Sequence, residues 1–213
     1  MTVGGIVLCG GKSSRMGMPK ATLPFGPELM LQRVVRLLSA EVHPIVVVAA
    51  PGQTLPELPG KVLVARDHCA DRGPLEGLHA GLLALSDHAE AAYASSCDVP
   101  LLRPAFVSRM IGLLGQHQIA VPREDRFHHP LAAVYRTSVV PDIQRLLDEN
   151  RLRPAFLFDS VLTHRVAVDR LRDVDEDLST LANLNHPQDY LNALAKAGFS
   201  PPDEFVRQLN QVE

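Results

Sequence analysis

The feature that most constrains the fold is the alternation, through the N-terminal half of the chain, of short apolar runs with amphipathic stretches. Four runs of apolar and small residues, at 3–8, 44–50, 61–65 and 91–97, are typical of strands covered on both faces. The stretches at 28–39 and 74–86 instead repeat apolar residues at helical spacing. The positions expected to be buried are Leu31, Val34, Val35 and Leu38 in the first stretch and Leu75, Leu78, Leu82 and Leu85 in the second. This alternation predicts an α/β fold, a three-layer α/β/α sandwich with a mostly parallel central sheet.

The C-terminal half continues the pattern with looser spacing. It predicts helices near 104–115, 138–148 and 187–197, and strands near 118–122, 131–136 and 165–168. We expect residues 1–198 to form a single domain. Residues 199–213, which contain the segment SPPDEF, are expected to form a C-terminal extension.

Composition narrows the class of protein. The 213 residues are 46% hydrophobic but only 5% aromatic, which favours a core of aliphatic side chains. A formal net charge of −3 gives no general electrostatic reason to bind nucleic acid or an anionic membrane, and neither is expected as a partner. The three cysteines lack the spacing of a zinc site or a disulfide framework, and the sequence shows neither a secretory signal pattern nor a membrane-spanning run. We therefore expect a cytoplasmic protein.

The loops that follow predicted strands are where an open α/β sheet binds its ligands. The first of these loops reads GGKSSRMGMPK, and it does not fit a Walker motif, because Ile6 stands where the first glycine is required. It fits neither the dinucleotide-binding glycine pattern nor a nucleophile elbow. What remains is a Gly10-Gly11 pair whose backbone N–H groups can approach an anion, with Arg15 and Lys20 as cations. A surface turn with solvated cations is an equally weighted alternative.

Carboxylates follow two other predicted strands. Asp98, in the segment CDVP, offers a hard oxygen ligand suited to Mg²⁺, although it could also cap a helix or fix a turn. Asp67 precedes a segment in which Gly73-Pro74 predicts a helix start. Gly73, Gly77 and Gly81 fall on one face of that helix, which can lie close to the sheet or to a ligand.

Two later segments carry candidate residues for a second substrate. In FHHPLAAVY, His128 and His129 stand at the start of a strand and indicate either an acceptor pocket or a charged, solvated loop. In NLNHPQDY, Asn183 and Asn185 precede a helix, and they are either part of its N-terminal cap or amides directed at substrate. The residues alone leave both pairs of alternatives open.

Taken together, these segments resemble the molybdenum cofactor guanylyltransferase family of the nucleotidyltransferases, whose fold is Rossmann-like. LCGGKSSRMGMPK resembles that family's L-A-G-G…R-M-G…K, and RGPLEG resembles its P-G-P-L-x-G. SCDVP, HHP and NLNHPQDY are similar to its C-D-x-P, H-P and N-x-N-x-P-E segments, and all of these motifs occur in the family's order. The resemblance spans residue 3 to about residue 195.

The resemblance implies a site for each part of the reaction. It implies that residues 1–198 are one nucleotidyltransferase domain, that Asp98 binds Mg²⁺, and that Lys20, Arg15 and Asp98 are catalytic. The residues implied in nucleotide binding are Leu8, Cys9, Gly10, Gly11, Lys20, Asp67, Gly77 and Asp98, and those suggested for the acceptor are His129, Asn183 and Asn185.

The activity implied is transfer of GMP from GTP to the terminal phosphate of molybdopterin, with release of pyrophosphate and with Mg²⁺ as cofactor. Transient contact with other molybdenum cofactor proteins is also expected. A cytidylyl- or sugar-phosphate nucleotidylyltransferase is the alternative within enzymes, and a nucleotide-binding regulatory protein is the alternative outside them. Ala49 stands where the family pattern has an asparagine that contacts nucleotide, so the identity of the base stays open.

Overall fold

The computed structural model describes residues 1–10, 18–67 and 72–201, and a central sheet dominates this part of the chain. The described strands are β1 (Val3–Leu8), β2 (Pro24–Phe25), β3 (Glu28–Leu29), β4 (Ile45–Ala49), β5 (Val62–Arg66), β6 (Ala91–Ser96), β7 (Ile119–Glu124), β8 (Phe127–His128), β9 (Ala133–Arg136) and β10 (Thr163–Ala167). The described α-helices are α1 (Met30–Ser39), α2 (Pro74–Leu85), α3 (Pro104–Leu114), α4 (Val140–Asp148), α5 (Pro154–Ser160) and α6 (Pro187–Lys196).

The sheet is mostly parallel, as predicted, with the order β10-β7-β9-β6-β1-β4-β5 and with β8 paired to β7. β1 runs parallel to both β4 and β6, and Leu8 at its end is in register with Val48 and with Ser96. Two strands run the other way: β9 lies antiparallel between β6 and β7, and the two-residue β8 is antiparallel to β7. The carboxyl ends of β1, β4, β5 and β6 therefore meet at one edge of the sheet, together with the first residues of β9.

Helices cover both faces of the sheet, so the three-layer architecture is confirmed. The side chains of α1 and α3 pack on one face, and those of α2, α4 and α5 pack on the other. All eight apolar positions predicted for the first two helices are fully buried. Regular apolar spacing was sufficient to predict which face of each helix meets the sheet.

The structure differs from the sequence expectation in its short elements and at one edge of the sheet. The short elements β2, β3, β8 and α5 were not predicted, since two and seven residues are too few to give a periodic signal. β5 is the terminal strand of the sheet, and its Leu63 and Val64 are 40% and 52% exposed. The prediction that this strand is covered on both faces was wrong, because an apolar run does not encode whether a strand lies at an edge.

A third, smaller core joins the end of the described chain to the segment between β1 and α1. Phe25 and Tyr190 are buried in this core, and the Tyr190 hydroxyl donates a hydrogen bond to the Pro24 carbonyl. Phe199 continues the same core, with its ring 5.9 Å from that of Phe25. The segment that leads into α6 is thereby held beside Pro24 and Phe25.

Among the described residues, no helix combines the length and the apolar character needed to cross a lipid bilayer.

Candidate active site

A cavity of about 700 Å³ opens at the sheet edge where the parallel strands end. One wall is formed by the ends of five adjacent strands, in the order β9, β6, β1, β4 and β5. Leu131, which precedes β9, and Asp67, which follows β5, mark its two ends. The first turn of α2 forms another wall. The predicted site residues that line it are Leu8, Cys9, Gly10, Lys20, Asp67, Gly77, Asp98 and Asn183. Because neighbouring strands lie roughly 4.8 Å apart, five strand ends span roughly 19 Å, enough for an extended ligand.

Lys20 and Asp98 form an ion pair in this wall. The Lys20 Nζ atom lies 2.8 Å from Asp98 Oδ2, and both side chains are largely buried. The same Nζ donates to Asn185 Oδ1 at 3.1 Å, and the Ser96 hydroxyl donates to Asp98 Oδ1. Three residues that the sequence placed in the site, far apart along the chain, thus meet at one point.

Local hydrogen bonds explain why Asn185 faces Lys20. The carboxylate of Asp189 accepts the backbone N–H groups of Asn185 and His186 and so caps the first turn of α6. The Leu184 N–H donates to the Asp98 carbonyl, which ties this segment to the end of β6. Asp189 thus supplies the cap, and the Asn185 amide contacts Lys20 without lining the cavity itself, so its assignment to the acceptor stays a prediction.

Two glycines leave room for the Asp67 carboxylate. A Cβ atom at Gly10 would lie 3.3 Å from Asp67 Oδ2, and one at Gly77 would lie 3.3 Å from Asp67 Oδ1. A Cβ at Gly77 would also lie 3.1 Å from the Leu8 side chain. At these positions the lack of a side chain allows the carboxylate and the loop backbone to approach one another.

The start of α2 confirms the predicted glycine pattern. Gly73 has φ of 75°, a value that favours glycine, and Pro74 occupies the first turn. Farther along the helix, a Cβ at Gly81 would lie 2.7 Å from Ile6 Cγ2. Gly81 therefore serves close packing of the helix on the sheet, whereas Gly73 and Gly77 belong to the cavity wall.

The donor atoms at Asp98 suit a magnesium ion. Nowhere in the residues that the structure describes do three His, Cys, Asp or Glu side chains gather to hold a metal. Asp98 does present a carboxylate at the cavity wall, and Mg²⁺ commonly takes one or two protein carboxylates and completes its octahedron with water and phosphate oxygens. The residues present therefore fit Mg²⁺ bound together with a nucleotide.

The two cysteines in the cavity wall are not activated nucleophiles. Burial, aided by the negative charge of Asp67, raises the pKa of Cys9 to about 12. Burial and the adjacent Asp98 carboxylate raise the pKa of Cys97 well above its ordinary value. Since the thiolate is the reactive form, both side chains act as small buried groups near neutral pH.

Comparison with known proteins places this geometry in a family. A model of the MobA-like NTP transferase domain matches residues 5–166. The chain belongs to this family. A protein named "Probable molybdenum cofactor guanylyltransferase" from Mycobacterium avium is 37% identical over 203 residues, 92% of this chain and 97% of the relative. A protein of the same name from Methanosarcina mazei is 31% identical over 205 residues, 90% of each chain. The chain is thus a nucleotidyltransferase.

Solved structures support the fold. Molybdopterin-guanine dinucleotide biosynthesis protein A from Archaeoglobus fulgidus superposes with a TM-score of 0.75 at 21% identity, covering 93% of this chain and 99% of that chain. A 2-C-methyl-D-erythritol 4-phosphate cytidylyltransferase from Thermus thermophilus superposes with a TM-score of 0.64 at 16% identity, covering 93% and 100%. The Rossmann-like α/β fold is therefore confirmed.

Not every predicted site residue of this family member reaches the cavity. Gly11 and Arg15 lie outside the described residues. His129 is absent from the described part of the cavity wall, and its Nε2 atom lies 3.9 Å from Oε2 of Glu124, the last residue of β7. Its assignment to the acceptor stays a prediction.

Ala49 is fully buried at the end of β4, and the next residue, Ala50, lines the cavity instead. The Gln53 side chain bridges the two loops at this end of the cavity, with its amide nitrogen donating to the Cys9 carbonyl at 3.1 Å. Its amide oxygen accepts the Ala50 N–H at 3.0 Å. The β4 end of the cavity is therefore shaped by backbone held in place by Gln53.

Sequence reasoning missed one charged residue of the cavity wall. Arg72 immediately precedes Gly73 and lines the cavity. The available signal is in RGPLEG, where an arginine stands in place of the first proline of the family motif. Arg72 brings a second cation, besides Lys20, to the described lining of the cavity.

Proposed function

We propose that this protein transfers GMP from GTP to the terminal phosphate of molybdopterin and releases pyrophosphate. The observation that carries the proposal is the Lys20–Asp98 pair at the strand-end cavity, in a chain that belongs to an NTP transferase family. The choice of GTP as the nucleotide and molybdopterin as the acceptor follows the name of the relatives, molybdenum cofactor guanylyltransferase. We place the reaction in the cytoplasm.

The chemistry is a substitution at the α-phosphorus of GTP. An oxygen of the acceptor phosphate forms the new bond to phosphorus, and the bond to the bridging oxygen of the β-phosphate breaks, so that pyrophosphate leaves with that electron pair. The acceptor phosphate is already ionised near neutral pH, and no general base is required. The task left to the protein is to bring anions together and hold them in line.

Lys20 and Asp98 divide this task. Asp98 would hold Mg²⁺, which supplies positive charge to the phosphate oxygens when it is bound. In the structure, the Lys20 ammonium group pairs with Oδ2 of Asp98. When the triphosphate enters, its oxygens give this ammonium group a second anionic partner. Lys20 would then stabilise the charge that develops on the phosphates in the transition state, and Arg15, assigned by resemblance, would add a second cation.

The nucleoside is assigned to the other half of the cavity. Asp67 lies between Gly10 and Gly77 at the β5 end, where an absence of side chains allows a ribose or base to approach the backbone. Ala49 contributes no polar group there, which keeps a cytidylyltransferase as the second candidate.

A nucleotide panel tests the proposal. Unfolding temperature is measured with GTP, CTP, ATP and UTP, each with and without Mg²⁺. A nucleotide at 100 times its dissociation constant stabilises the fold by about 2.7 kcal/mol, and we expect GTP with Mg²⁺ to give the largest shift. Labelled GMP should then pass from GTP to molybdopterin. Stabilisation and transfer with CTP alone would contradict the guanylyl assignment, and binding without any transfer would favour a regulatory protein.

Contacts with other proteins of molybdenum cofactor assembly remain part of the proposal, since the product has to be passed on.

A further inference from the structure

The guanidinium group of Arg72 is held in a defined position at the cavity wall. Its Nη1 atom lies 3.4 Å from Glu76 Oε2, and its Nη2 atom donates to the Leu147 carbonyl near the end of α4. The Glu76 side chain is 7% exposed, whereas that of Arg72 is 29% exposed. An arginine carries five N–H donors in a planar fork, so these two contacts orient the group without using all of its donors.

Arg72 and Lys20 approach the strand ends from opposite faces of the sheet. Lys20 belongs to the segment between β1 and α1, whose helix packs on one face. Arg72 precedes α2 and contacts the end of α4, and both of these helices pack on the other face. The two cations therefore flank the ends of β1 and β6, where Asp98 lies, from the two sides.

In-line substitution at phosphorus requires the attacking oxygen and the leaving oxygen to lie on opposite sides of the phosphorus atom. If Lys20 holds the phosphates that leave as pyrophosphate, the attacking phosphate has to enter from the side of α2 and α4. This step rests on the proposed function. Arg72 is the cation that the described cavity wall offers on that side.

We propose that Arg72 binds the phosphate monoester of the acceptor and holds it for attack. A guanidinium fork suits a phosphate dianion because it can donate two parallel hydrogen bonds. Glu76 and the Leu147 carbonyl set the orientation of the fork, and Leu131, in the wall of strand ends, offers an apolar surface to the uncharged part of the acceptor. Arg72 thereby determines which second substrate is accepted: one that ends in a phosphate.

The competing explanation is purely structural, namely that Arg72 only satisfies a carbonyl at the end of α4. If that were its only role, replacing Arg72 would lower the stability of the fold but would not change the KM for the acceptor more than the KM for GTP. The KM values of the two substrates therefore separate the explanations.

The test compares Arg72→Ala and Arg72→Lys with the wild-type enzyme. We expect Arg72→Ala to raise the KM for molybdopterin by about 10- to 100-fold, as expected for a lost hydrogen bond between charged groups, with the KM for GTP changed by less than about twofold. Arg72→Lys should recover part of the loss, since it keeps the charge but not the fork. Arg145→Ala, which removes an exposed arginine of α4, is the matched control and should leave both KM values unchanged.

A binding measurement makes the test independent of the acceptor's identity. Inorganic phosphate is added to the enzyme with Mg²⁺ and a GTP analogue that has a methylene group between its α- and β-phosphorus atoms. The phosphate-dependent rise in unfolding temperature should occur in the wild type and in Arg145→Ala and should be lost in Arg72→Ala.

The outcomes separate the role of Arg72 from the proposed transfer of GMP. An unchanged KM for molybdopterin and an unchanged phosphate effect in Arg72→Ala would overturn the role of Arg72, whatever happens to its stability. If the wild type fails to transfer GMP to molybdopterin but its phosphate effect still depends on Arg72, the proposed function is wrong and the anion site stands.

Discussion

At the scale of single residues, Lys20 is the side chain whose surroundings say most about its role. It is largely buried, it contacts the carboxylate of Asp98 and the amide of Asn185, and it lines the cavity. An ammonium group that is largely removed from water is stabilised by such polar partners. The same contacts hold it beside the position proposed for the phosphates.

We predict that Lys20→Ala lowers kcat by about 100-fold or more and raises the KM for GTP much less, because its charge is needed most as phosphate charge develops. Steady-state kinetics with varied GTP would measure both values. Lys61→Ala, at an exposed position, is the control. An unchanged kcat in Lys20→Ala would exclude the proposed role.

Single residues also show where sequence reasoning reached its limit. Lys20, Asp98 and Asn185 could be predicted because each belongs to a motif with a recognisable spacing. RGPLEG marks Arg72 only as a departure from the family motif, because the position of its guanidinium depends on α4, which lies some 70 residues later in the chain and supplies the Leu147 carbonyl. Contacts of this kind exist only once the topology is known.

At the scale of elements, α2 shows how one helix serves both the core and the site. Gly81 packs against Ile6 in the core, whereas Gly77, one turn earlier, lies at the cavity wall. The four-residue spacing predicted a close approach on one face. The sequence could not divide the glycines between packing and binding, because that division depends on where the sheet ends beneath the helix.

We predict that Gly81→Ala lowers the free energy of unfolding by about 1–3 kcal/mol, since the new methyl group would lie 2.7 Å from Ile6 Cγ2 and would overpack the core. Urea denaturation would measure the change. Gly112→Ala in α3 is the matched control, because its Cβ would meet nothing within 4 Å. That control should be neutral or stabilising by up to about 1 kcal/mol. Equal effects at the two positions would contradict the packing argument.

The hairpin of β7 and β8 gives a pH-dependent prediction. Burial, reinforced by the positive charges of Arg165 and Arg123, lowers the pKa of His128, while Asp159 acts in the opposite direction. His128 lies against Phe158, with ring centroids 5.1 Å apart. The unfolded chain then binds the proton more readily than the folded chain does, so stability is complete above the ordinary histidine pKa of 6.5 and falls as pH drops below it.

Replacing His128 with glutamine should therefore reduce the loss of unfolding free energy between pH 7.5 and pH 5.5. Part of the loss should remain, because burial also lowers the pKa of the neighbouring His129. Urea titrations at the two pH values give the comparison, with His88→Gln as the control at an exposed histidine. A pH dependence identical to that of the wild type would refute this interpretation.

At the scale of the whole molecule, the last described residues are tied to the site through the third core. Arg33 lies over the rings of Phe25 and Phe199, 4.9 Å and 5.6 Å from their centroids, and donates to the Pro100 carbonyl at 2.7 Å. Pro100 follows Asp98 by two residues. The segment at 199, predicted from composition to begin an extension, starts with a side chain that packs on the domain.

We predict that Phe199→Ala destabilises the protein by about 1–3 kcal/mol, less than a fully buried phenylalanine, because the side chain is half-buried. Urea denaturation should show this loss. Phe127→Ala should have little effect, since Phe127 is 76% exposed. If the two variants were equally stable, the packing of Phe199 on the domain would be of no energetic consequence.

The reversed direction of β9 has an electrostatic consequence for the whole site. Because β9 runs opposite to its neighbours, α4 after it also runs in the opposite direction to α2 and ends at the cavity edge. The edge therefore carries the positive end of one helix dipole, at α2, beside the negative end of another, at α4. Arg72 lies between the two ends. A sheet with every strand parallel would have brought a second positive end to this edge and no carbonyl to hold the arginine, so the reversal of one strand supplies the local field that keeps a cation in place.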